Sequence, residues 1–172
     1  ATLLAARLDP EPTVGDWVAL APGRPPVPVA VLPRSSLLRR RAAGGEEAPA
    51  LAANLDAVLL VTGLDRPVKA GRLQRGAALA GDAGAEPVVV LTKAAAAGGA
   101  EKAVAVAREA VPGVEVLVSS VREGEGVDAL AAVVRGRTVV LLGESGAGKS
   151  TIVNALLGEE VAATGGVRAG DA

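Results

Sequence analysis

From Asn54 onward, the chain alternates short continuous apolar runs with longer segments whose apolar residues recur at helical spacing. Continuous Val- and Leu-rich runs are typical of strands that are buried on both faces of a sheet. Helices between such strands provide the crossovers that parallel pairing requires. The pattern therefore predicts an α/β fold, a parallel sheet with helices on both faces.

The predicted elements of this region follow one another in a regular order. Strands are expected at 57–62, 88–91, 114–118 and 138–142. Helices are expected at 70–80, 101–110, 127–134 and 150–157, the first with Leu73, Ala77 and Ala80 on one face. Gly158 is a plausible C-cap for the last helix, because glycine adopts the left-handed conformation that often ends a helix.

Residues 1–33 have a different pattern, with short β-type runs separated by prolines. Strands are expected at 3–8, within 14–20 and at 27–32, the last at a sheet edge because proline cannot donate to a ladder. This is too little material for a complete barrel. A basic stretch follows at 34–41, and residues 42–50 are predicted to form a linker.

Composition removes several classes of function. The 172 residues contain neither cysteine nor histidine, which excludes disulfides, thiolate metal sites and the usual general base. Lys and Arg number 18 against 19 Asp and Glu, so bulk attraction to nucleic acid is not expected. Aromatic residues make up 1% of the chain, so its core must be built from Ala, Val, Leu and Ile. We expect no membrane span, and the lack of cysteine fits a reducing compartment.

Residues 143–150, GESGAGKS, match the phosphate-binding P-loop pattern G-x-x-x-x-G-K-[ST] between a predicted strand and a predicted helix. Glycines allow backbone N–H groups to turn toward phosphates, and the helix N-terminus adds positive potential. Lys149 is expected to reach the β- and γ-phosphates, and Ser150 to ligate Mg²⁺. The predicted phosphate-binding residues are Gly143, Glu144, Ser145, Gly146, Ala147, Gly148, Lys149, Ser150 and Thr151.

Two further motifs follow predicted strands upstream of the P-loop. Thr92-Lys93-Ala94-Ala95 resembles the guanine motif of GTPases in its T-K-x-D form, and Ser119-Ser120 resembles their S-A motif. The order, with base motifs first and the P-loop last, resembles circularly permuted GTPases. Taken alone, Thr92-Lys93 could be an ordinary strand end, and Ser119-Ser120 an N-cap turn.

The flanking segments narrow this resemblance to the ribosome small-subunit-dependent GTPases of the RsgA/YjeQ type. They are VGDWV at 14–18, the basic stretch 34–41, ANLD at 53–56, GEGVDAL at 124–130 and TGGVR at 164–168. The resemblance implies a partial OB-fold β-barrel and basic linker at 1–47, and a permuted P-loop GTPase domain at 48–172. It also implies GTP or GDP as ligand, hydrolysis of GTP during late maturation of the small (30S) ribosomal subunit, and a cytoplasmic protein. We expect a monomer.

The chain departs from the family pattern in ways that leave alternatives open. Ala95 stands where the family carries aspartate. Without that carboxylate, two guanine donors stay unpaired, which would weaken guanine recognition by ~2–4 kcal/mol. Switch segments and the C-terminal zinc domain are not found, so we expect a fragment with doubtful hydrolysis, zinc belonging only to the missing domain. The alternatives are a P-loop ATPase and a non-catalytic ribosome- or RNA-binding module. Arg34, Arg39, Arg40 and Arg41 are candidate rRNA contacts, or else belong to a solvated turn.

Overall fold

The computed structural model describes residues 8–39, 49–159 and 161–162. Its strands are β1 (Val18–Ala21), β2 (Val27–Val31), β3 (Leu37–Arg39), β4 (Ala50–Ala53), β5 (Ala57–Gly63), β6 (Glu86–Thr92), β7 (Glu115–Val118) and β8 (Val139–Leu142). Its helices are α1 (Ala70–Asp82), α2 (Glu101–Ala110), α3 (Val127–Val134) and α4 (Lys149–Leu157), with 3-10 turns at Ala95–Ala97 and Val121–Glu123.

The central sheet has four parallel strands in the order β7-β6-β5-β8. The chain winds β5-α1-β6-α2-β7 toward one edge, and then α3 returns it to the other side of β5. The last strand, β8, therefore pairs with β5, with Leu60 opposite Leu142. This arrangement confirms the predicted parallel sheet, and it brings the carboxyl ends of β5, β6 and β8 together.

Each face of the sheet is covered by one pair of helices, as predicted. Alternate residues of a strand point to opposite faces, so neighbouring residues of β5 belong to different clusters. One face packs Val58 and Leu60 of β5 against α1 and α2, through Leu73, Ala80, Ala107 and Ala110. The other packs Leu59 and Val61 of β5 against α3 and α4, through Leu130 and Ile152. Alanine on three of these positions brings the helix backbones close to the sheet.

The helices end close to their predicted positions. Gly158, with a φ of 71°, occupies the C-cap of α4, as predicted. Helix α1 extends two residues past the predicted end, to Asp82. At Gly76, α1 lies close to the sheet, because a Cβ there would lie 2.7 Å from Cδ2 of Leu60. Among the described residues, no helix is long and apolar enough to cross a bilayer.

The N-terminal region forms two antiparallel ribbons, β1 with β2 and β3 with β4. They are compatible with part of an OB fold, but they do not form a closed barrel within the described ranges. Residues 3–7 of the first predicted strand lie outside those ranges. The interpretation of 34–41 as a solvated turn needs correction, because β3 lies there and Leu38 is fully buried in the core.

Strand β3 also links the N-terminal region to the sheet. The backbone N–H of Leu37 donates to the carbonyl oxygen of Ala83, just after α1. The buried hydroxyl of Ser36, the residue before β3, donates to the carbonyl oxygen of Leu55 at 2.9 Å. Strand β4 begins at Ala50, the last residue of the predicted linker, whose residues 42–48 lie outside the described ranges. The proposed boundary between 47 and 48 stays a prediction, with the core extending to residues on both sides of it.

Candidate nucleotide-binding site

The carboxyl edge of the sheet gathers every motif predicted to bind nucleotide. The P-loop follows β8, the first base motif begins at Thr92, the last residue of β6, and Ser119-Ser120 follows β7. A fourth segment, 64–66, follows β5 between the P-loop and the β6 loop. In an open parallel sheet, ligands bind at this edge, where neighbouring strand ends leave a crevice.

Two glycines of the P-loop stand where a residue with a side chain would clash or would be strained. A Cβ at Gly143 would lie 2.3 Å from the carbonyl oxygen of Val61 on the neighbouring strand. Gly148 has a φ of 96°, a conformation that residues with a side chain rarely adopt, and it immediately precedes α4. The loop is thus folded tightly against β5, with the N-terminus of α4 facing the space that phosphates would occupy.

Lys149 lies across the P-loop. Its Nζ donates hydrogen bonds to the carbonyl oxygens of Gly143, at 2.9 Å, and Glu144, at 2.7 Å. The same ammonium group can exchange these neutral acceptors for phosphate oxygens, which bind it more strongly. Ser150 and Thr151 occupy the first turn of α4, where a hydroxyl is well placed to meet a metal ion between phosphates.

Thr92 joins the predicted base loop to the P-loop. Its buried hydroxyl donates to the carbonyl oxygen of Ala147 at 2.6 Å. The sequence motif identified Thr92 as part of a guanine loop, but the bond shows that this side chain fixes the distance between two loops. The loop that carries Lys93 is thereby held beside the P-loop.

Lys93 adopts a left-handed backbone with a φ of 62°, which is uncommon for a residue with a long side chain. Its Nζ donates to Oδ2 of Asp65 at 2.7 Å. The hydrogen bond from Lys93 lowers the pKa of the Asp65 carboxyl. Asp65 was missed in the sequence, although its place directly after a buried strand is the signal that could have found it.

The two base loops are hydrogen-bonded to each other. The backbone N–H of Ala95 donates to Oγ of Ser120 at 2.8 Å, and that of Ala94 donates to the carbonyl oxygen of Ser119 at 3.4 Å. The side chain of Ala95 is exposed and offers no carboxylate. The Ser119 hydroxyl is buried and has no hydrogen-bond partner among the residues that the structure describes. Ser120 does not cap the turn that follows with its side chain, so the N-cap alternative is not supported.

Glu144, inside the P-loop, is paired with arginines of the segment after β5. Arg72 of α1 forms an ion pair with its carboxylate, and Nη1 of Arg66 lies 4.0 Å from Oε2. The Arg72 guanidinium is the main cause of a lowered pKa of the Glu144 carboxyl. No sequence pattern predicts these pairs, because they depend on β5 lying beside β8.

The candidate rRNA contacts are not brought together as one patch. Arg34 is only 12% exposed, and its Nε and Nη2 donate to the two carboxylate oxygens of Asp16, both at 2.7 Å. Its Nη2 also donates to the carbonyl oxygen of Glu11 at 2.9 Å. The geometry corrects the view of Arg34 as a phosphate contact, because its Nε and Nη2 donors are used inside the protein and Asp16 neutralises its charge. Arg39 is exposed at the end of β3, and Arg40 and Arg41 lie outside the described residues.

Comparison with known proteins shows which family the chain belongs to. The family model for the RsgA GTPase matches residues 31–172. The chain belongs to this family. A relative from Streptomyces avermitilis, described as a small ribosomal subunit biogenesis GTPase RsgA, is 47% identical over 152 residues, which is 86% of this chain and 41% of the relative. A relative from Xylella fastidiosa with the same description is 47% identical over 161 residues, 92% of this chain and 46% of the relative.

A solved structure supports the fold. The crystal structure of YjeQ from Thermotoga maritima superposes with a TM-score of 0.68 and 26% identity, over 86% of this chain and 52% of that one. The chain spans less than half the length of the curated relatives it matches. Across the described ranges, no group of three or more His, Cys, Asp or Glu residues could hold a metal ion. The zinc expected in a C-terminal domain stays a prediction.

Proposed function

We propose that this chain carries the nucleotide-binding part of a factor that binds and hydrolyses GTP in late maturation of the small (30S) ribosomal subunit. The observation that carries the proposal is the convergence of both base loops and the P-loop at one sheet edge, in permuted order. The family membership supports the same conclusion. The proposed setting is the cytoplasm, with the chain acting as a monomer.

Residues 143–151 would hold the phosphates. Backbone N–H groups of the loop and the start of α4 supply hydrogen bonds, and Lys149 supplies the main charge. Gly143 and Gly148 allow the loop to pack closely against Val61 of β5 and against Thr92. Ser150 would ligate Mg²⁺, whose chemistry is to neutralise charge that develops on the phosphates.

Thr92, Lys93, Ala94, Ala95, Ser119 and Ser120 would surround the base. The stem of Lys93 is suited to lie along its face, while Thr92 sets the spacing to the P-loop. No carboxylate stands at position 95 to accept the guanine N–H groups. We therefore propose a site that prefers guanine only weakly.

A panel of nucleotides tests this proposal. Calorimetry with GDP, ADP and their triphosphate analogues should show GDP binding more tightly than ADP. Tighter binding of ADP would favour a P-loop ATPase instead. No binding of either nucleotide would favour a non-catalytic module with an inert site, an alternative that the exposed Ala95 keeps open.

Hydrolysis by this chain alone should be barely detectable. The assigned residues hold phosphates and base, but none of them positions the attacking water, which P-loop GTPases require. The measurement is release of inorganic phosphate from GTP by the purified chain, with Lys149→Ala as the background. Turnover at ordinary GTPase rates that is abolished in this variant would contradict the proposal.

The proposed partner is the small ribosomal subunit, with Arg39, Arg40 and Arg41 contacting rRNA phosphates. Net charge is −1, so such contact must come from a local patch. Charge reversal at these three arginines should reduce co-sedimentation of the full-length protein with small subunits. It should also lower the log–log salt dependence of binding by roughly 0.7–0.9 for each phosphate that is no longer neutralised. Reversal of the exposed Arg75 and Arg108 serves as control. If the variant with the three reversed arginines co-sediments with small subunits as well as the control variant does, Arg39, Arg40 and Arg41 do not contact rRNA.

A further inference from the structure

An acidic side chain inside a phosphate-binding loop poses an electrostatic problem. Glu144 is the second residue of the P-loop, and it lines the small cavity at the loop's mouth together with Ser145, Gly146 and Ala147. A nucleotide's phosphates carry several negative charges, so an unpaired carboxylate this close would repel them. The structure shows what prevents this repulsion.

The positive charge comes from residues 66–72, which run from the loop after β5 into the first turn of α1. Arg72, about 39% exposed, pairs directly with the Glu144 carboxylate, and Arg66 lies at the edge of the same cavity. Arg66 and Lys69 add longer-range attraction to that carboxylate. Because β5 lies beside β8, this basic segment is placed against the P-loop by the order of the strands.

We propose that Arg72 is a positioning residue for phosphate binding, which holds the Glu144 carboxylate against α1 and neutralises it so that the P-loop accepts phosphates. Arg72 acts through Glu144 and not by touching the nucleotide. This inference rests on the proposed function, since it concerns the same site.

The dependence on Glu144 separates this role from two others. If Arg72 touched the phosphates itself, its removal would weaken binding whether or not residue 144 carried a charge. If Arg72 only supported the fold, its removal would lower the unfolding midpoint, and any loss of affinity would not depend on the number of phosphates in the ligand. If Arg72 acts by neutralising Glu144, the affinity lost in Arg72→Ala should be restored when Glu144 is neutralised too. The loss of affinity should also grow with the number of phosphates in the ligand.

The experiment measures the affinity of the full chain for GMP, GDP and a non-hydrolysable GTP analogue by calorimetry at low and high salt. For Arg72→Ala we expect Kd for GDP to rise roughly three- to tenfold at low salt, more for the GTP analogue and less for GMP. High salt should shrink the effect, because both charges are partly exposed. Arg75→Ala, one turn further along α1, is the matched control and should bind as the wild type does.

Neutralising the acid provides the second arm. Glu144→Gln alone should bind GDP roughly twofold more tightly, and Arg72→Ala/Glu144→Gln should return Kd to within roughly twofold of the wild-type value. Unfolding midpoints of all variants are measured alongside.

Three outcomes would overturn the inference: no decrease of affinity in Arg72→Ala, an equal decrease in the double variant, or weaker binding by Glu144→Gln. In each of these the wild type still binds guanine nucleotides, so the proposed function stands. A wild type that binds none of the three ligands overturns both.

Discussion

The β5 strand of the central sheet and the β1–β2 ribbon are built from the same kind of apolar residues, yet they end in opposite environments. Val58 and Leu59 of β5 are completely buried, whereas Leu20 of β1 and Val29 of β2 are each 53% exposed. Strand β5 has a partner on each side and helices on both faces. The ribbon pairs each strand on one side only within the described residues. Burial in this molecule therefore follows from the neighbours of a strand, not from its hydrophobicity.

The two regions are also held by different forces. The sheet is held by close packing of Val, Leu and Ala, which is non-directional and proportional to the area removed from water. The ribbon is fastened at its ends by polar contacts, including the Arg34–Asp16 pair and the Asn54 amide, which donates to the carbonyl oxygen of Gly15 at 2.9 Å. The proposed binding residues lie at the edge of the closely packed sheet, where side chains can be positioned precisely.

The largest expected effect concerns the cores of these two regions. Leu59→Ala should reduce the free energy of unfolding by about 2–5 kcal/mol, because it leaves a cavity between the sheet and α3–α4. Leu20→Ala removes the same atoms from an exposed side chain and should cost less than about 0.5 kcal/mol. Urea unfolding of both variants measures the difference. An equal cost would mean that the exposed face of the ribbon is covered in the folded protein.

The second prediction places base recognition at the sheet edge. Ala95→Asp should raise the ratio of GDP to ADP affinity, because a carboxylate accepts both guanine N–H groups. The binding free energy of GDP should become more favourable relative to that of ADP by up to ~2–4 kcal/mol. Ala96→Asp adds the same charge one residue further along the exposed turn and serves as control. Both affinities are measured by calorimetry for each variant. If the ratio rises equally in the two variants, or in neither, the alignment of residues 92–95 with the guanine motif is wrong.

The regular part of the fold could be predicted from the sequence because strand and helix spacing differ so clearly there. All four sheet strands, all four helices and the coverage of both faces are confirmed. Strand β3 could not be predicted, because it is three residues long within a basic run. Its Leu38 is buried because β3 pairs with β4 and joins the core that α1 covers, and these contacts are made by residues distant in sequence.

Only those residues of the candidate site that belong to a sequence motif could be predicted from the sequence. The P-loop residues, Lys93 and Ser120 were found by pattern, and the structure brings their loops to one edge. The bond from Thr92 to the P-loop, and the partners Asp65 and Arg72, were not found. They arise from the strand order β7-β6-β5-β8, which places loops distant in sequence side by side and leaves no local periodicity to detect.

The third prediction separates binding from folding within the sheet region. Lys149→Ala should weaken GDP binding by about 1.5–3 kcal/mol, the worth of a charge-assisted hydrogen bond. It should leave the free energy of unfolding nearly unchanged, because the partners of Lys149 are carbonyls at the protein surface. Lys102→Ala on the exposed side of α2 controls for the removal of a positive charge. Equal calorimetric affinity of Lys149→Ala and the wild type would remove the P-loop lysine from the site.

The smallest expected effect is a pH dependence that belongs to the ribbon and not to the sheet edge. The hydrogen bond from Arg34, together with one from the Thr13 N–H at 2.8 Å, lowers the pKa of the Asp16 carboxyl against the opposing effect of burial. A carboxyl whose pKa is lower in the folded state stabilises the fold fully above its unfolded pKa, near 4. That stabilisation is lost as the pH falls through the folded value.

Asp16→Asn should therefore cost about 1–2 kcal/mol at pH 7, and the difference from the wild type should narrow as the pH falls below about 4. The Asp65–Lys93 pair provides the comparison, because its carboxylate is 39% exposed and its contribution is screened by solvent. Asp65→Asn should accordingly shift stability by less than about 0.5 kcal/mol at any pH. Urea unfolding of the wild type and both variants between pH 3 and pH 7 gives the three curves. Parallel curves for the wild type and Asp16→Asn would show that the ribbon is not fastened by this ion pair.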